Sequence, residues 1–196
     1  MYNFFKKFYK PLFCFCLCFS SVFVLIGCSG NQTSDTSSGK KSGKRSSALH
    51  QEMASGSEAP DFSAKLNNGE TFTLSDKKGQ VILLNFWATW CSNCVKEMPA
   101  IEKLYEEYGD QIVIVGVNVG EDEDTINAFV DAKNYSFPVA YDTDSEISNL
   151  YPSAGIPYTV IIGKDGLVTE TFLGAKDADS QYTKLRRALQ EAYEAN

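Results

Sequence analysis

From residue 61 onward the spacing of apolar positions changes several times, and each change marks an element. Asp61 to Leu66 and Glu70 to Ser75 alternate apolar and polar positions on either side of Asn67-Asn68-Gly69, a turn composition, and predict a β-hairpin. Val81-Ile82-Leu83-Leu84-Asn85-Phe86-Trp87 is almost continuously apolar, as a central strand covered on both faces must be. The period then lengthens. Val95, Met98, Ile101, Leu104, Tyr105 and Tyr108 recur at helical spacing. Ile112 to Val119 is a second buried strand, and Thr125 to Lys133 a second, shorter helix. Phe137 to Tyr141, Thr159 to Ile162 and Leu167 to Phe172 read as three more strands, the last two joined by the hairpin turn Gly163-Lys164-Asp165-Gly166. A final helix starts at about Ser180 and sets Tyr182, Leu185, Leu189 and Tyr193 on one face. Strands alternating with helices and closing on an antiparallel hairpin predict an α/β fold, a mixed central sheet flanked by helices with an N-terminal β-hairpin extension.

The start of the chain follows another pattern. Lys6, Lys7 and Lys10 precede the uncharged run Pro11 to Gly27, so residues 1–27 have the layout of a secretory signal, a basic start and an apolar core. That run is also at the short limit for a membrane span, and an uncleaved anchor is the alternative. It ends Leu25-Ile26-Gly27-Cys28, which resembles the lipobox of bacterial lipoproteins. The resemblance implies that Cys28 receives a diacylglyceryl group and becomes the new N-terminus, its two acyl chains giving the stable anchoring that one chain does not. Residues 29–57 hold nine Ser and four Gly, no aromatic residue, and only Ala48, Leu49, Met53 and Ala54 as apolar residues. That is too little apolar surface to offset the entropy of ordering, so residues 28–57 read as a lipid-anchored flexible linker spanning roughly 30 Å. Lys40, Lys41, Lys44 and Arg45 within it meet anionic lipid or simply keep it solvated. No internal repeat or second linker follows, so residues 58–196 form one domain.

Charge and composition narrow the chemistry. The chain has 196 residues, 43% of them hydrophobic and 22% charged, which is one soluble domain with appendages. From Glu58 onward 11 Lys and Arg face 23 Asp and Glu, so the domain carries −12 and the preceding segments +5. Nucleic acid is therefore not an expected partner. The single His, His50, lies in the linker, which excludes Ser-His and Cys-His pairs, multi-His metal sites and an HExxH protease. The acidic run Glu121-Asp122-Glu123-Asp124 lacks the Gly and spacing of an EF-hand loop and reads as a solvated helix start. No metal and no cofactor is expected.

Of six Cys, Cys14, Cys16 and Cys18 lie in the first apolar run and Cys28 ends it, which leaves Cys91 and Cys94 in the domain. A bridge over two residues removes little unfolded-state entropy, so this pair is reactive rather than structural. Half a zinc site has the same spacing; the position between an apolar strand and a helix favours a redox pair. A thiol at a helix N-terminus meets unpaired N–H groups and the positive dipole end, which favour its thiolate. Cys91 is the expected nucleophile. Cys94, one turn into the helix and shielded, is the expected resolving thiol.

The run Asn85-Phe86-Trp87-Ala88-Thr89-Trp90-Cys91-Ser92-Asn93-Cys94-Val95-Lys96-Glu97-Met98-Pro99 resembles the active-site segment of extracytoplasmic thioredoxins, in the TlpA/ResA branch of membrane-anchored thiol-disulfide oxidoreductases. Gly155-Ile156-Pro157-Tyr158-Thr159 matches the place where thioredoxin folds carry a cis-proline facing the dithiol. The similarity runs from about Glu58 to the C-terminus and implies a thioredoxin-like fold. It implies a redox-active disulfide between Cys91 and Cys94 and a cis Pro157, a trans proline being the alternative. The Ile156 backbone would then pair with an extended client peptide as an added strand. Glu97 would manage the dithiol's protons, since Cys94 must become a thiolate in a low-dielectric site; a surface Glu in the helix's first turns is the alternative. Trp90 is expected to shield the dithiol and contact clients, and Trp87 to be core. Asn85 stands where cytoplasmic thioredoxins have a buried Asp, Ser92-Asn93 replaces their Gly-Pro, and Tyr158 replaces a smaller residue and bears on client selection.

The implied function is reduction of disulfides in exported client proteins, serving cytochrome c maturation or repair reductases. The enzyme would be a monomer, lipid-anchored on the extracytoplasmic side of the cell membrane and supplied by an integral-membrane thiol electron donor. Three other readings use the same residues. A thiol peroxidase of the peroxiredoxin type would need Pro-x-x-x-Thr-x-x-Cys before Cys91, a copper-binding module would need a nearby His, and an adhesion domain would keep the pair as an inert disulfide. One dithiol runs in either direction according to its potential, so the direction of flow stays open here.

Overall fold

The computed structural model describes residues 52–195. The signal segment, Cys28, His50 and most of the linker lie outside the described residues. Strands β1 (Ser63–Lys65) and β2 (Thr71–Thr73) form the expected hairpin, with Ala64 opposite Phe72. Its turn passes through Gly69 at φ +88°, a conformation that glycine adopts without cost. The main sheet contains β3 (Val81–Trp87), β4 (Ile112–Val119), β5 (Val139–Asp142), β6 (Tyr158–Ile162) and β7 (Val168–Leu173) in the order β5-β4-β3-β6-β7. β3, β4 and β5 run parallel, while β6 is antiparallel to both β3 and β7. Helices α1 (Ser92–Tyr108), α2 (Glu123–Lys133), α3 (Glu146–Leu150) and α4 (Ala178–Glu194) complete the domain. This is the mixed sheet expected from the sequence.

Strand β3 shows why the run is apolar at nearly every position. All seven side chains are buried, and the period of two sends them to opposite faces. Val81, Leu83 and Trp87 join Met98, Ile101 and Leu104 of α1, Ile126 and Val130 of α2, and Leu185 and Leu189 of α4. Ile82, Leu84 and Phe86 join Phe62, Leu66 and Phe72 of the hairpin segment, with Ile147 and Tyr151. Asn85 shares the face of Leu83 and Trp87, and is the one polar residue of the strand. Its partners must therefore come from the helical layer or from a neighbouring strand on that face.

Four details depart from the sequence expectation. α3 falls where the sequence assigns no element, and both carboxylate oxygens of Asp142 hold it by accepting backbone N–H groups at 2.8 Å, from Ile147 and Ser148. β5 begins two residues late: Pro138 has no N–H to give a ladder, and its carbonyl accepts from Gly116 instead. On α4 the covered face is Gln181, Leu185, Ala188, Leu189 and Ala192, whereas Tyr193 is 43% exposed, with the Lys164 ammonium 4.5 Å from its ring centroid. Finally, residues assigned to the linker pack on the domain. The Gly56 N–H donates to the Val168 carbonyl, the Val168 N–H to the Ser57 carbonyl, and the Met53 N–H to the Tyr158 hydroxyl. β7 is an edge strand, and this segment satisfies backbone groups that would otherwise face solvent.

Gly116, in the middle of β4, explains how Trp87 fits. A Cβ there would stand 2.9 Å from Phe137 Cε2 and 3.0 Å from Trp87 Nε1, and both rings are buried. Gly116→Ala is expected to destabilise the chain by about 1–3 kcal/mol in urea denaturation. A loss below about 0.5 kcal/mol, the range of ordinary surface substitutions, would show that these rings yield freely.

Candidate active site

β3 delivers the chain to Ala88-Thr89-Trp90, and Cys91 is the N-cap of α1. Its N–H donates to the Ala88 carbonyl at 3.1 Å, and its Sγ accepts the Cys94 N–H at 3.2 Å. The helix terminus thus aims a backbone donor at the sulfur that is to carry negative charge. Cys91 and Cys94 are joined as a disulfide, with their Cα atoms 5.2 Å apart. Cys91 is 8% exposed and Cys94 fully buried, so an approaching sulfur reaches only the first. Pro157 is cis, and the Ile156 carbonyl oxygen lies 3.7 Å from Cys91 Sγ. The structure brings together Cys91, Cys94, Ile156 and Pro157.

Trp90, next to Cys91, is 71% exposed, too open for a ring packed over the dithiol. The shielding expected of it is absent; what it offers is a broad apolar surface beside the reactive sulfur. Tyr158 is corrected as well. It is buried among the hairpin-side residues, its ring 6.0 Å from that of Phe86, and has no surface to offer a client.

Glu97 is wholly buried, not a surface residue. Its Oε1 accepts from Asn85 Nδ2 at 2.5 Å and its Oε2 from Gln181 Nε2 at 2.7 Å, while the same Asn85 amide donates to Thr159 Oγ1 at 3.1 Å. Burial pushes the acid above the usual carboxylate range; the Gln181 and Asn85 donors and the charge of Lys184 oppose that rise. The group is a buried acid three positions after Cys94 on the same helix. Gln181 and Thr159 are the residues that sequence reasoning missed. Gln181 left a signal, a polar residue four positions before Leu185 on the apolar face of α4.

Glu121 is a third residue missed. Its carboxylate accepts from the Thr89 N–H at 2.7 Å, from the Thr89 hydroxyl, and from Asn118 Nδ2 at 2.9 Å. The acidic run is therefore divided. Asp122 caps α2 by accepting from the Thr125 N–H, whose hydrogen bonds hold its carboxyl below the usual range, and Glu121 fastens the loop that leads into Cys91. Glu121→Ala leaves the buried Asn118 amide without its acceptor and is expected to destabilise the chain by about 1–3 kcal/mol, read by urea denaturation. Unchanged stability would mean that water replaces the carboxylate fully. No group of three or more His, Cys, Asp and Glu able to hold a metal ion occurs among the described residues.

Residues 55–171 match the AhpC/TSA family. Thioredoxin-like protein YneN of Bacillus subtilis is 39% identical over 133 residues, 66% of this chain and 78% of that protein. The thiol-disulfide oxidoreductase ResA of the same organism is 37% identical over 123 residues, 62% of this chain and 69% of that one. Among solved structures, the pneumococcal exposed lipoprotein thioredoxin of Streptococcus pneumoniae superposes with a TM-score of 0.57 at 28% identity, over 65% of this chain and 99% of that one. A reachable sulfur bonded to a buried one is the arrangement that dithiol exchange requires, and ResA carries that activity in its name. The chain belongs to the AhpC/TSA family, among its ResA-like thiol-disulfide oxidoreductases.

Proposed function

We propose that the Cys91/Cys94 dithiol reduces disulfides of exported client proteins at the extracytoplasmic face of a membrane, to which a diacylglyceryl group on Cys28 ties a monomeric domain. The observation that carries this reading is the asymmetry of the pair, Cys91 reachable at a helix N-terminus and Cys94 enclosed behind it. The Cys91 thiolate attacks one sulfur of the client disulfide; that S–S bond breaks and the other client sulfur leaves as a thiolate. Cys94 then gives its proton to Glu97 and attacks Cys91 Sγ. The mixed disulfide breaks, the second client thiolate departs, and the Cys91–Cys94 disulfide remains. An extended client peptide lies along the Ile156 backbone next to Pro157, with Trp90 covering its apolar side chains. Two electrons from an integral-membrane thiol donor restore the dithiol, because a compartment that favours disulfides does not supply them. The cysteines of apocytochrome c and exported methionine sulfoxide reductases are the clients of fitting chemistry. A peroxidase reading finds Leu84 and Ala88 where its pattern needs Pro and Thr.

The test is capture in a bacterial host by the full chain bearing Cys94→Ala. Adducts with exported proteins, released by dithiothreitol, absent with Cys91→Ala and recovered with the membrane fraction, are the expected result. Adducts with cytoplasmic proteins alone would overturn the proposed location, and a Cys28→Ala chain that stays on the membrane would overturn the lipid tether.

A further inference from the structure

Two amides from separate elements hold the buried acid. Asn85 comes from the central strand, and Gln181 from the first turn of α4, next to its cap Asp177. Gln181 is 3% exposed and lies on a face otherwise made of Leu185, Ala188, Leu189 and Ala192, where an amide is costly unless its hydrogen bonds are made. Its Nε2 spends a hydrogen on Glu97 Oε2, 84 positions away in sequence. An apolar side chain at this position would leave that carboxylate oxygen without a donor.

We propose that Gln181 is a positioning residue that sets the pH range over which Glu97 exchanges its proton with the dithiol. This rests on the role given to Glu97 above. The groups facing the acid are Asn85 from β3, with Thr159 of β6 behind it, and Gln181 and Lys184 from α4; Cys94 lies three positions earlier on the acid's own helix. Lys184 acts through its charge alone, its ammonium standing 4.6 Å from the Phe172 ring centroid. Gln181 is a direct donor. An N–H donor on a carboxylate oxygen favours the ionised form, so removing it makes the acid hold its proton to higher pH, and replacing it with a cation does the reverse. Gln181 thereby couples the seating of α4 to the proton chemistry of α1.

The test follows the midpoint potential of the full chain against pH, in which a titrating group linked to the dithiol appears as a change of slope. Glu97→Gln is expected to remove one such break. Gln181→Met, similar in volume, is expected to move that break up by about one pH unit, and Gln181→Lys to move it down, whereas a purely structural role would move both alike. Loss of the break in Glu97→Gln with no movement, or movement in one direction only, in the two Gln181 variants would overturn the inference while leaving Glu97 in its role. A break that survives Glu97→Gln would overturn both.

Discussion

Cys91→Ala is expected to lower the rate of insulin-disulfide reduction by at least about a thousandfold, because the attacking sulfur is gone and the remaining thiol is enclosed. Cys94→Ala is expected to stop turnover at a different point. The Cys91 thiolate still forms the mixed disulfide, but among the described residues no second thiol is left to resolve it, so a covalent adduct accumulates and non-reducing electrophoresis shows it. The prediction rests on an observed difference between two chemically identical side chains, one 8% exposed and capped by a helix N–H, the other fully buried. Equal adduct formation by both variants would mean that Cys94 is reachable in the reduced protein and that the assigned order of attack is wrong.

Glu97→Gln is expected to slow the resolving step by about a hundredfold at neutral pH, at the lower end of what a positioned base supplies, while the first attack by Cys91 keeps its rate. Rapid-quench measurements of the two steps separate them. The same substitution has a stability consequence with a definite sign. Burial raises the acid above the usual carboxylate range, so in the window between its unfolded and folded values the native chain holds a proton that the unfolded chain has lost. Native stability therefore falls as pH rises through that window. Gln carries no charge and no such penalty. Between pH 4 and pH 8 the parent's urea midpoint is therefore expected to fall relative to the variant's, on top of a pH-independent loss in the variant, whose amide meets one of the two donors with its own N–H. A parent midpoint that rises relative to the variant's over that range would contradict the raised carboxyl.

Much of this arrangement was legible in the residues, for reasons that can be named. β3 and β4 were bounded correctly, since strands covered on both faces cannot admit charged residues and so begin and end sharply. The dithiol and the cis-proline were found through the motif and the resemblance it carries. What escaped depends on partners distant in sequence. α3 is held by Asp142, whose carboxylate lies outside the helix it caps. Asp122 and Glu121 are adjacent acids of similar composition signal, and only the position of Thr89, 32 residues away from Glu121, gives one of them to the active-site loop. On α4, Tyr193 was credited with burial that Ala188 and Ala192 carry, because small residues are the ones that allow close packing against the sheet. Gln181 interrupted an apolar face visibly, but Glu97 as its partner could be known only from the fold.

The midpoint potential of the Cys91–Cys94 couple bears most directly on the direction of exchange. With the full chain equilibrated in defined thiol-disulfide buffers, and Trp90 fluorescence and thiol alkylation as independent reporters, a value of roughly −250 mV or lower is expected, the range of a reductant. A value of roughly −120 to −180 mV would contradict that and make the protein an oxidase or isomerase, and the absence of any reversible couple would contradict disulfide exchange altogether.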